Sequence, residues 1–301
     1  MQQIKSKTIH CEITYQCNNR CFYCYNEEHK PLSMSLDQAK ILVERIEQYA
    51  YSANRSLRMI LTGGEPFENF EVLKYLYKQL NELPNVNATI NTNLAVDIEK
   101  INEILELIDK KTTLFVSVPS MIKDIYNKIT NSSNFEKFEK ALRYCLNNKK
   151  ISLVTNTVIN DINFDTSLTT IMLLKLLNLS SYKLTVLLKH NKHFELIKKL
   201  AEVEDISRKV KIKYLGSSAP IIVNNDVIRT IEYQRLKQYM YYHCDAGYDF
   251  FAITPDGYLK PCPCLPNSTK YFNVLTSNEF IPEIIRNHRY NLACTKECTN
   301  P

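Results

Sequence analysis

The sequence predicts an α/β protein: a partial (β/α)6 barrel over residues 1–205, followed by a small α+β module with a β-hairpin over residues 206–301. Three observations predict it. Short runs rich in β-branched residues recur at regular intervals, segments of helical periodicity lie between them, and the composition shifts in the last third of the chain. Strands separated by helices need crossover connections, and these build parallel sheets, curled or flat.

The strand-like runs are "IHCEITY" from residue 9, then "LRMILT", "NATINT", "TTLFVSV", "ISLVTNTVI" and "YKLTVLL". Between them lie "SLDQAKILVERIEQYA", "FEVLKYLYKQL", "IEKINEILELI" and "FEKFEKALRYCL", with "FELIKKLAEV" after the last run. The first of these helices opens with a capping box, Ser35 and Gln38. Six such units over roughly residues 8–205 fall short of the eight that close a full TIM barrel. Farther on, "KVKIKYLG" and "PIIVNN" read as strands and residues 226–241 as a helix. "FAITPDGYLKPC" reads as two short strands around a Pro-Asp-Gly turn.

The 45% hydrophobic and 23% charged content is that of a soluble globular protein. No apolar run approaches the roughly 20 residues a bilayer span needs, and the N-terminus lacks the apolar stretch of a secretion signal. The expected location is the cytoplasm. The net charge of +6 is spread along the chain without a block of five like charges, so no nucleic-acid or membrane partner is expected. In a reducing compartment ten cysteines point to metal ligands or catalysts before disulfides.

Cys17, Cys21 and Cys24 follow the first strand in a CxxxCxxC spacing, on the side where parallel sheets keep their ligand sites. Three thiolates on so tight a loop suit three irons of a [4Fe-4S] cube and leave the fourth iron open. The alternative is a closed zinc site with Cys11 as fourth ligand. Cys11, however, shares a strand face with Ile9, Ile13 and Tyr15, as a small buried hydrophobe does. Farther along, "RMILTGGEP" ends a strand in Gly63, Gly64, Glu65 and Pro66. The glycines allow close approach of backbone to a ligand, and Glu65 offers a carboxylate to an ammonium; a plain strand-to-helix turn with a surface Glu is the alternative.

The cysteine spacing, Tyr23 before the third cysteine and the GGEP motif together resemble the radical SAM superfamily. That resemblance implies a [4Fe-4S] cluster whose open iron chelates S-adenosylmethionine. It also implies one-electron cleavage to methionine and a 5'-deoxyadenosyl radical that abstracts hydrogen from substrate. Within it, Tyr23, Gly63, Gly64, Glu65 and Pro66 bind the cofactor. Asn93 in "INTNLA" resembles the family's TNG motif with Leu94 in place of glycine, and Ser117 in "VSVPS" resembles its VSxDG motif. These two are candidate contacts to the cofactor's hydroxyl and carboxylate groups, and Lys128 stands where related enzymes often carry an arginine.

"HCDAGYDFFAITPDGYLKPC" resembles the opening of the SPASM and twitch modules, with Cys244 twelve residues before Gly257 and Cys262 four residues after it. "CTKEC" adds Cys294 and Cys298 close to the end of the sequence. Five thiols cannot fill two four-cysteine sites. The resemblance therefore implies one auxiliary [4Fe-4S] cluster on Cys244, Cys262, Cys294 and Cys298, with Cys264 as substitute ligand or as a free thiol that donates hydrogen. A four-cysteine zinc ribbon is the alternative on spacing alone.

The resemblance implies a maturase of a ribosomally made peptide, abstracting hydrogen and leading to a cross-link or an epimerised residue. A maturase of folded protein, a small-molecule enzyme, and a non-catalytic iron-sulfur or zinc scaffold are the other readings. The implied partners are a precursor peptide and an electron donor of flavodoxin or ferredoxin type. Sixteen residues precede Cys17, too few for an N-terminal leader-binding domain, so leader recognition is expected from the body of the chain or a separate protein.

Overall fold

The computed structural model describes residues 7–26, 30–53, 56–179, 181–186, 213–217, 247, 249–263, 270–277 and 280. In chain order these form β1 (Lys7–Thr14), α1 (Leu36–Ala53), β2 (Leu57–Gly63), a 3-10 turn (Pro66–Asn69), α2 (Phe70–Glu82), β3 (Val86–Thr92) and α3 (Ile98–Glu106). There follow β4 (Thr112–Ser117), α4 (Lys123–Thr130), α5 (Phe135–Asn147), β5 (Ile151–Ile159), α6 (Ser167–Leu176) and β6 (Ser181–Val186). Last come β7 (Lys213–Ser217), β8 (Phe250–Ile253) and β9 (Leu259–Lys260).

All nine strands lie in one sheet of order β7-β6-β5-β4-β3-β2-β1-β8-β9. Only β9 is antiparallel to its neighbour, and the sheet is not closed. The six repeated runs thus appear in sequence as β1 to β6, each parallel to the next, as six crossover units require. The sheet also runs past residue 205. It takes β7 onto β6 from "KVKIKYLG", and β8 onto β1 from the hairpin "FAITPDGYLKPC".

One face of the sheet is buried and the other is half-buried, so burial alternates residue by residue along β4 and β5. On β1, Ile9, Cys11 and Ile13 are fully buried against the helices, and Cys11 is the small core residue its strand position suggested. Helix α2 shows how the helices attach: Val72, Leu73, Leu76, Tyr77 and Leu80 recur at helical spacing and all are buried. Each such burial contributes about 1.5–3 kcal/mol. The capping box of α1 is closed in both directions, Gln38 N–H to Ser35 Oγ at 3.2 Å and Ser35 N–H to Gln38 Oε1 at 2.8 Å.

Two helices carry weaker sequence signals. Helix α4 is a short element of eight residues, and α6, "SLTTIMLLKL", is apolar on nearly every side, so no amphipathic period marks it. The hairpin turn is as its residues demand. Gly257 sits at φ +85, its N–H bonds Thr254 O at 2.9 Å, and a Cβ there would lie 2.5 Å from Leu275 Cδ1. The expected strand at "PIIVNN", the helix over residues 226–241 and the helix "FELIKKLAEV" lie outside the described residues.

Candidate active site

The site gathers at the C-terminal ends of β1 to β4. The chain leaves β1 at Thr14 and enters a loop that carries Cys17, Cys21 and Cys24, all half-buried and none in a disulfide. Backbone hydrogen bonds pin this loop to the end of α4, from Arg20 N–H to Thr130 O (2.8 Å) and from Phe22 N–H to Ile129 O (3.2 Å). Asn134, just before α5, donates to both Asn18 O and Asn19 Oδ1 at 2.9 Å. Held this way, the three thiols are mutual electrostatic neighbours. Burial, with Glu65 and Cys24 adding to it, pushes the Cys17 thiol up to about 12, and burial with Cys24 and Cys17 does the same at Cys21.

Glu65 stands opposite this loop. Its carboxylate is fully buried, and it accepts from Phe67 N–H (3.2 Å) and Thr92 Oγ1 (2.8 Å) at Oε1 and from Asn93 N–H (2.7 Å) at Oε2. Two ionised oxygens offer about four acceptor sites, so Oε2 keeps one for a further donor. Burial outweighs the three hydrogen bonds and raises its pKa to about 7. Among the described residues no Lys, Arg or His pairs with it.

The glycines before Glu65 serve a backbone contact. A Cβ at Gly63 would lie 2.1 Å from Thr14 O, and one at Gly64 would lie 2.2 Å from Gln16 O. Gly63 also adopts φ +135. The close approach expected of them is thus between the end of β2 and the start of the cysteine loop, sealed by Gly64 N–H to Thr14 O (2.7 Å) and Glu65 N–H to Gln16 O (2.8 Å). Pro66 begins the 3-10 turn, with Glu65 as its cap.

Asn93 links both halves. Its Nδ2 donates to Asn18 Oδ1 (2.8 Å) and approaches Cys17 Sγ (3.6 Å), while its Oδ1 accepts from Ala95 N–H (2.8 Å). Leu94, standing where the resembling motif has glycine, adopts the glycine conformation anyway, φ +60, and is fully buried. The turn survives because Thr92 Oγ1 and Asn93 Oδ1 bond the next two backbone N–H groups, and burial of Leu94 offsets its strain.

Ser117 ends β4, half-buried and level with Asn156 of β5. Lys128 is exposed on α4, and no hydrogen bond or ion pair ties it to the residues above. Tyr23 is half-buried beside Cys21, Cys24 and Tyr126, and burial holds its phenol well above the ordinary range. Cys262 is buried just past β9; Cys244, Cys264, Cys294 and Cys298 lie outside the described residues.

Sequence reasoning passed over Glu12, Asn18, Asn19 and Asn134. Glu12, on β1, is fully buried and is held by Tyr15 OH at 3.0 Å and by the Tyr25 side chain. Burial raises it to about 7, against the pull of Lys260. An acidic residue inside β1, flanked by the apolar Cys11 and Ile13, was the signal available.

The radical SAM superfamily model matches residues 11–174, more than half of the chain. The GTP 3',8-cyclase of Clostridium acetobutylicum is 27% identical over 157 residues, 50% of this chain and 46% of the cyclase. The chain spans about half the length of the curated relatives it matches. Among solved structures, Streptococcus suis SuiB bound to precursor peptide SuiA superposes with a TM-score of 0.71 at 18% identity, over 94% of this chain and 66% of SuiB. The structure of anSMEcpe with bound AdoMet and Cp18Cys peptide gives 0.70 at 16% identity, over 95% of this chain and 81% of the other. At these identities the likeness is one of fold. The family match, covering most of the partial barrel and both the cysteine loop and the Glu65 turn, shows that this chain belongs to the radical SAM superfamily of enzymes.

Proposed function

We propose that the chain is a radical SAM peptide maturase, in which Cys17, Cys21 and Cys24 hold three irons of a [4Fe-4S] cluster and Glu65 receives the ammonium of S-adenosylmethionine. The observation that carries the cofactor assignment is the buried Glu65 carboxylate with a spare acceptor site and, among the described residues, no cation to neutralise it. An ammonium meets that need, because it supplies both charge and a donor. The thiols fit the cluster as well. Cys17, Cys21 and Cys24 sit half-buried on one loop and are electrostatic neighbours, and a cubane takes one thiolate per iron.

When bound, the cluster and S-adenosylmethionine supply reductive cleavage to methionine and a 5'-deoxyadenosyl radical. The chain's own residues fix the geometry. Gly63 and Gly64 let β2 close on Thr14–Gln16 and so set Glu65 opposite the loop. The N–H of Asn19 and the amide of Asn93 point at Cys17 Sγ at 3.4 and 3.6 Å, as donors to a thiolate do. The Asn19 side chain and Tyr126 OH lie buried beside each other on this side of the loop. Ser117 and Lys128 are assigned the cofactor's polar tail, Tyr23 the loop's packing, and Pro66 the turn behind Glu65.

The peptide substrate is supported by the fold likeness, over nearly the whole chain, to SuiB with its precursor peptide and to anSMEcpe with a bound peptide. In this reading Cys244, Cys262, Cys294 and Cys298 carry an auxiliary [4Fe-4S] cluster, Cys264 is a substitute ligand or hydrogen donor, a flavodoxin- or ferredoxin-type protein donates electrons, and a separate protein or the chain itself recognises the leader. Relatives named GTP 3',8-cyclase favour a second reading, a nucleotide substrate on the same barrel.

The test is anaerobic reconstitution with iron and sulfide counts, followed by dithionite, S-adenosylmethionine and either candidate precursor peptides or GTP. About eight irons per chain, deoxyadenosine release and a mass change in a peptide support the maturase. Consumption of GTP with no peptide altered overturns it in favour of the second reading. Zinc in place of iron overturns both.

A further inference from the structure

The sheet face that carries Glu12, Thr62, Asn91 and Ser117 also carries a group that the cofactor assignment leaves unused. Phe115 lies on β4 two residues before Ser117 and paired with Asn91 of β3, so its ring stands below the cofactor residues on the same face, about 7 Å down the strand. Two cations converge on that ring. Arg58 of β2 places its guanidinium 5.2 Å from the ring centroid, and Lys183 of β6 places its ammonium 5.5 Å from it. Arg58 is exposed and Lys183 half-buried, so the group is open to a ligand.

No carboxylate compensates these charges among the described residues. Lys183 is held below its ordinary pKa by burial and then by Arg58, a sign of repulsion between the two cations. His10, on the same face of β1, is driven down to about 4 by burial, Arg58 and Lys183, so at neutral pH it offers a neutral ring and no third charge. Glu12, the nearest acid along β1, feels Lys260, Tyr15 and Asp256 instead. Two like charges held beside one ring are costly without an anion between them.

We infer that Arg58, Lys183 and Phe115 form a subsite for a side-chain carboxylate of the peptide substrate, an Asp or Glu near the residue that is modified. The inference rests on the maturase reading and deepens it by naming a substrate feature. Arg58 supplies a planar fork that matches a carboxylate, Lys183 a point charge, and the Phe115 ring a wall that keeps both in place. With His10 neutral, the subsite balances one or two negative charges, which suits a carboxylate and leaves a triphosphate under-neutralised.

Calorimetric titration of the full chain with N-acetylaspartate amide, against N-acetylasparagine amide as its neutral isostere, tests this. The aspartate compound is expected to bind and the asparagine compound not, with R58Q/K183Q weakening binding by about tenfold or more. R58Q alone, at an exposed position, gives the same reading if the double variant does not fold. Equal binding of the two amides, or binding unchanged in the variants, overturns the subsite. Tighter binding of inorganic phosphate or GTP than of the aspartate amide overturns the carboxylate assignment. A chain that binds the aspartate amide but modifies no peptide fails the maturase reading alone, and one that modifies a peptide without such binding fails this inference alone.

Discussion

The backbone N–H of Asn93 donates to Oε2 of Glu65 at 2.7 Å while the Asn93 side chain reaches Sγ of Cys17 at 3.6 Å. One residue at the end of β3 therefore ties the buried carboxylate to the cysteine loop. Disturbing either partner moves both halves of the site.

Replacing Glu65 by Gln removes the charge that an ammonium would meet and keeps the volume. Affinity of the cluster-loaded chain for S-adenosylmethionine is expected to fall by about ten- to a hundredfold, the worth of a charge-assisted hydrogen bond. Equilibrium dialysis measures it, and an unchanged affinity would show that Glu65 does not face the cofactor.

Stability of the metal-free chain should fall as pH rises from about 5 to 8. Glu65 and Glu12 each have their pKa raised from 4.5 to about 7 by burial. Between those values the folded state holds protons that the unfolded state has released, so the stabilisation present at low pH is lost as pH climbs through the folded pKa. Each site contributes up to about 3 kcal/mol. Asp256, whose pKa is lowered, titrates below this window. Urea unfolding at several pH values would show the slope, and E12Q/E65Q is expected to flatten it.

Asn93→Ala leaves the backbone donor to Glu65 but deletes the bonds to Asn18 and Ala95 and the contact with Cys17. Loss of about 1–2 kcal/mol and reduced iron retention are expected, with cofactor affinity less affected than in E65Q. Iron content after gel filtration, beside a thermal melt, separates these effects.

Gly64→Ala forces a Cβ to within 2.2 Å of Gln16 O, a backbone atom that must move, so the turn carrying Glu65 is displaced. Unfolding or loss of cofactor binding is expected. Leu94→Gly works the other way round. It relieves a positive φ worth about 1–2 kcal/mol and deletes a fully buried leucine worth about 2–5 kcal/mol, so a net loss is expected. A gain in melting temperature would mean that strain dominates at Leu94.

Cys17→Ala, Cys21→Ala or Cys24→Ala should each abolish deoxyadenosine formation and remove about four irons per chain. Cys145→Ala, at a buried helix position far from the loop, should keep the iron and lose about 2 kcal/mol or less from packing.

Much of this was readable in one dimension, because it depends on local spacing. Six parallel strands, the Ser35–Gln38 box, the Pro-Asp-Gly hairpin and the cysteine loop followed by Glu65 are all set by residues within a few positions of each other. Helix α6 was not readable, since apolar residues lie on its exposed side too, Met172 and Leu176 among them, and erase the amphipathic period. The use of Gly63 and Gly64 against Thr14 and Gln16 was not readable either, because the partner strand lies some fifty residues earlier.

The amino-acid order by itself determined the family's cysteine loop, the acid that faces it and the alternation of strands with helices. Folding decided the rest. It showed that Leu94 holds a glycine conformation, that Asn18, Asn93 and Asn134 knit the loop to β3 and α5, and that Arg58 and Lys183 meet at Phe115. The physical reason is that these contacts join strands and loops far apart in the chain, so their register and the desolvation of each charge exist only once the sheet has assembled.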